Sequence, residues 1–65
     1  MSQAEQIEMI RRHIAAGEKH VASQREIIRR FREIGADTLL AEDILEEFEA
    51  TLAQHQAHLA QMLDG

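Results

Sequence analysis

Apolar side chains recur along the first half of the chain at Ile7, Ile10, Ile14, Val21, Ile28 and Phe31. Gly17 and Gln24 fill the two remaining places of an unbroken alternation of three and four. That spacing keeps a row on one face of a helix that turns every 3.6 residues, so it predicts a long helix with a heptad seam. His13, His20, Ile27 and Ile34 form a flanking row that widens the stripe to that of a bundle helix. The stretch "IGADT" is the clear punctuation. Gly35 suits the left-handed conformation that ends a helix, and Asp37 or Thr38 can accept the free amide hydrogens that open the next one. Leu45, Phe48, Leu52, His55, Leu59 and Met62 then resume the alternation, broadened by Leu40, Ile44 and Leu63. The pattern predicts an all-α antiparallel hairpin in a single domain, 1–65, with a helix over about 2–34, a turn at 35–37 and a helix over about 38–63.

Gly17 sits inside the first predicted helix, where glycine costs about 1 kcal/mol against alanine. No proline, polar cluster or phase shift accompanies it, so the helix is expected to run through. Placing the two helices symmetrically about the turn sets residues opposite one another when their numbers sum to about 72. Gly17 then faces His55, which gives the glycine a steric reason: it makes room for a bulky ring.

Size changes the picture next. A chain of 65 residues buries only about 60% of its unfolded surface, and without cysteine no disulfide supports the core. Association with a second copy is the remaining route to more buried area, so a homodimer forming a four-helix bundle is expected, its core and interface built from the seam residues. Gln24, polar in that seam, is expected to set register.

The composition, 45% hydrophobic and 29% charged without proline, fits an ordered helical protein. The opening "MSQAEQIEMI" lacks the basic and then apolar pattern of a secretory leader, and no apolar run approaches the ~20 residues that cross a bilayer. The expectation is a cytoplasmic protein without membrane association. Charge separates by segment: residues 1–32 hold seven basic and four acidic side chains, and 33–65 hold eight acidic and none basic. The halves attract, and the symmetric register sets Arg25, Arg29 and Arg30 beside Glu42, Asp43, Glu46 and Glu47 as rim ion pairs. The basic run "REIIRRFR" could grip phosphates, but a net charge of −5 and only two aromatic residues argue against nucleic acid as a partner.

All four histidines, His13, His20, His55 and His58, fall in the half away from the turn, where the same register pairs His13 with His58 and His20 with His55. Their clustering gives an alternative function, transition-metal binding by imidazoles from two chains. The spacings match neither HExxH nor a di-iron ExxH pattern, so flank histidines that border the core are the plainer account. Histidines at an interface could also loosen it when they gain charge below about pH 6.5. No nucleophile beside a base, carboxylate pair or glycine-rich phosphate loop is legible, so no catalytic residue and no cofactor are expected.

The stretches "HIAAGEKHVASQREII" and "DTLLAEDILEEFEATLAQHQAHL" resemble a group of short uncharacterised bacterial α-helical proteins built on H-x3-GE-x-H-x3-Q and FE-x-TL-x2-H blocks. His13, Gly17, Glu18, His20, Gln24, Phe48, Glu49, Thr51, Leu52 and His55 carry that likeness. The resemblance implies a compact helical protein and brings no activity with it. The expected role is a non-enzymatic structural or interaction module, or a small regulator, acting as a homo-oligomeric bundle that can dock a partner helix.

Overall fold

The computed structural model describes residues 2–64. Two helices, α1 (Gln3–Glu33) and α2 (Leu39–Asp64), pack against each other as an antiparallel hairpin, with no strand among the described residues. At 1.5 Å per residue α1 is about 46 Å long, which accounts for the 49 Å length of the molecule.

Each end of α1 has a local chemical cause. Ser2 caps the start, its hydroxyl accepting from the Glu5 amide at 3.2 Å while it donates back to the Glu5 carboxylate. The cap satisfies one amide that the helix cannot, and the carboxylate of Glu5 orients the hydroxyl that does so. At the other end Gly35 adopts φ +73°, Ala36 N–H donates to the Phe31 carbonyl at 2.8 Å, and Gly35 N–H donates to Arg32. This is the paired Schellman closure, and it needs a left-handed residue that glycine supplies without steric cost. For α2 the side chain of Asp37 accepts from the Leu39 amide at 2.9 Å, while the backbone carbonyl of Thr38 takes the Glu42 amide.

The helix α1 passes through Gly17 without interruption. Glycine's position differs from the symmetric register, however: a Cβ built there would meet Leu52, with the Leu52 Cδ1 at 3.2 Å, and not His55. Leu52 lies about one helical turn nearer the loop. The connection explains the offset. Residues 36–38 are neither helix nor turn, and an extended residue advances about 3.3 Å against 1.5 Å in a helix, so the chain descends beside α1 before α2 begins.

The core is thin. Ile10, Val21, Gln24, Ile28 and Ala41 are buried, and no described side chain is wholly enclosed. Ile7, Ile14, Gly17, Leu45, Phe48, Leu52, His55, Leu59 and Met62 are half-buried. Phe31, expected in the seam, sits at its edge and is exposed, because the chain turns away just beyond it. The radius of gyration of 15.1 Å exceeds the ~11 Å of a compact chain this long, as two helices side by side make a rod with no further layer.

Candidate interaction face

The two flanks of the seam differ in chemistry. On one side Arg25 meets Glu49 at 3.5 Å and Arg32 meets Glu42 at 2.7 Å, both across the helices. Arg29 and Arg30 do not reach α2 as the symmetric register required; both pair with Glu26 on their own helix, and Arg29 also with Glu33. Glu26 therefore accepts from two guanidiniums, and the hydrogen bond from Arg29, ahead of the charge of Arg29 and Arg30, holds its carboxyl down at about 2. Arg29 is in turn pushed above its ordinary value by Glu26. All these groups lie in solvent, so each pair is worth ~0 to 1 kcal/mol and sorts orientation more than it holds the fold.

The opposite flank carries almost no charge. Near the turn, Ile27, Phe31, Leu40 and Ile44 line an open depression of about 470 Å³ beside the buried Gln24 and Ala41, with Asp37 at its rim. Ile34 and Leu40 are 77% and 74% exposed, and Ile27 is 41% exposed. Further along the same flank His20 lies against Phe48 with ring centres 5.3 Å apart, and beyond it Ala16, Gly17 and Thr51 lead to His13 and His55. By helical period Met9 of α1, 40% exposed, extends the same row.

Gln24 joins the helices beneath this face. Its amide donates to the Ala41 carbonyl at 2.9 Å inside the core, which fixes the axial offset near the turn at a single value. Ala41 was not among the expected seam residues, although it continues the alternation one step before Leu45. Its small side chain is what lets the Gln24 amide reach the backbone of α2.

The histidines separate into different environments. His13 stands against His55, ring centres 5.1 Å apart and planes tilted by 52°, while His20 goes to Phe48 and His58 is exposed. The expected pairs His13 with His58 and His20 with His55 are both replaced, each histidine of α1 meeting a residue of α2 nearer the loop than the symmetric register set. Among the described residues no three histidine, aspartate or glutamate side chains come close enough together to hold a metal ion, so a four-imidazole site does not form within one chain. No helix among the described residues is long and apolar enough to cross a membrane. Comparison with protein-family models, with curated proteins and with solved structures finds no match to the chain.

Proposed function

We propose that the protein is a non-enzymatic helical interaction module that works as a homodimer, a second copy covering the uncharged flank to complete a four-helix bundle. The observation that carries this reading is the contrast between flanks: cross-helix ion pairs on one, and on the other exposed Ile27, Phe31 and Leu40 lining one depression, with exposed Ile34 a heptad beyond Ile27. Exposed apolar residues scattered singly need no explanation, but a contiguous row on one face marks a binding surface.

A second copy fits better than an unrelated helix for two reasons. A twofold contact uses the same patch on both partners, and an apolar patch nearly free of charge is complementary to itself. The dimensions also suit: a face 49 Å long and 15 Å wide offers on the order of 700 Å² per copy, close to the ~800 Å² of a stable interface. The surface of 4937 Å² is larger than the ~4200 Å² expected of a compact monomer of 7.4 kDa, so the chain has surface to cover.

Sedimentation velocity tests the proposal. The wild type should sediment with twice the 7.4 kDa chain mass, and Ile27→Glu combined with Leu40→Glu should halve that mass while leaving helicity near its starting value. Glu49→Gln, on the charged flank, should leave the mass unchanged. A wild-type chain that stays at 7.4 kDa at about 1 mM would remove the homodimer, leaving a partner helix from another protein as the occupant.

A further inference from the structure

We infer that His13 and His55 form a two-imidazole site for a divalent transition-metal ion, bridging α1 and α2 near the open end of the hairpin. The separation of the rings is the first support. An ion bound by two imidazole nitrogens at about 2.0–2.1 Å lies about 3.2 Å from each ring centre, so a tetrahedral angle sets the centres about 5.2 Å apart. The observed separation is 5.1 Å. The tilt of 52° is also within the range of ordinary packing between two rings, but among the described residues neither ring takes part in a hydrogen bond, so their nitrogens are free to turn toward an ion.

Space and charge are the second support. Both imidazoles line a depression of about 270 Å³ whose other walls are Ala16, Gly17, His20 and Thr51, with room for an ion and its water ligands. No cationic side chain lines it, and the chain's net charge of −5 favours a cation. Imidazoles suit zinc, nickel and copper, whereas magnesium and calcium favour carboxylates, and none lines this depression. With two protein ligands, water completes the coordination, or a second copy supplies its own pair. Both ligands come from one chain but lie on the flank that the proposed second copy covers, so metal binding and mass are read separately.

Titration calorimetry with zinc chloride and nickel chloride at about pH 7.5 is the direct test. Histidine side-chain NMR and thermal melts on the same samples locate the ion. Wild type should bind one ion per chain, or one per two chains if the second copy joins, with His13 and His55 resonances shifting and the melting temperature rising because the ion ties the two helices. His13→Gln and His55→Gln should each weaken binding by about tenfold or more and abolish the metal-induced rise, and His58→Gln should change neither. His13 is exposed, so its variant keeps the fold, and circular dichroism checks that His55→Gln does too.

No binding at about 1 mM ion overturns the inference, as does a folded His13→Gln chain that binds like wild type or an equal loss in His58→Gln. Mass measured without metal separates this result from the homodimer question: a monomer that binds sinks only the dimer, and a dimer that ignores metal sinks only the site.

Discussion

Replacing Gly17 with alanine sets two effects of similar size against each other. In the middle of α1 alanine is favoured over glycine by about 1 kcal/mol through backbone entropy. Against this, the new methyl would lie 3.2 Å from the Leu52 Cδ1, so that methyl must retreat by a few tenths of an ångström; the Leu52 Cβ at 3.6 Å and Cα at 3.9 Å are ordinary contacts. Leu52 is half-buried and borders an open depression beside Val21, Glu49 and Gln56, so its side chain has somewhere to go. Turning it part-way from a rotamer minimum costs about 0.5 kcal/mol, at the low end for such distortions. The expected balance is a gain of about 0.5 kcal/mol, a rise of roughly 2–4 °C in melting temperature for a chain this short. Gly17→Val adds two further methyls toward the same leucine and loses helix propensity, so it should destabilise by about 1–3 kcal/mol. Thermal and urea melts followed by circular dichroism at one fixed chain concentration read both signs. If alanine costs more than about 1 kcal/mol, Leu52 cannot move and the argument from its open surroundings is wrong.

Three further outcomes follow from local geometry. Gln24→Leu removes the buried hydrogen bond to Ala41 but gains apolar contact, so stability in urea should change by less than about 1 kcal/mol while amide NMR signals near the turn broaden or double as the axial offset loses its pin. Gly35→Ala meets no atom within 4 Å and loses only the ease of a positive φ, so melts should show a cost of about 1 kcal/mol whatever the chain concentration. Glu26 titrates at about 2 in the folded chain, so its contribution to stability is present above its ordinary range near 4.5 and is lost as pH falls toward 2; carboxyl NMR should show it ionised at pH 3, and a midpoint near 4.5 would contradict the double ion pair.

The hairpin was legible because its signals are periodic or local. The three-four alternation needs only side-chain direction, and Gly35 with Asp37 marks a turn through backbone chemistry that neighbouring residues decide. The N-cap at Ser2, with Glu5 bonded to its hydroxyl, is equally local and could be read from its S-x-x-E pattern. Axial offset is different: it depends on how far residues 36–38 carry the chain before α2 starts, and no periodicity encodes that distance. An error of one turn moved Gly17 from His55 to Leu52 and His13 from His58 to His55, and His20 went further, to Phe48. Ala41 escaped notice because its hydrophobic weight is small, and its burial follows from what Gln24 needs to reach. The flanking row at Ile27 and Ile34 was visible as a broad stripe, but two helices can close only the seam between them, which is why that row lies open.

The proposed second copy on that open row carries a test in the dependence of stability on chain concentration. If a second copy covers it and the isolated hairpin is the weaker state, unfolding is also dissociation, and each tenfold rise in concentration stabilises the dimer by about 1.4 kcal/mol. Spread over the two chains, at roughly 2.1 cal/mol/K of unfolding entropy per residue, that corresponds to about 5 °C in melting temperature per decade. Melts from about 5 to 500 μM should therefore span about 10 °C, a shift well outside the scatter of a thermal scan. The Ile27→Glu and Leu40→Glu double variant should lose this slope, because charges on that face are cheap in the hairpin, where both positions touch water, and costly only when a partner removes the water. A wild-type melting temperature that stays flat across the range would mean the hairpin folds alone with its isoleucine row in solvent, and the uncharged flank would then have no claim to a second copy.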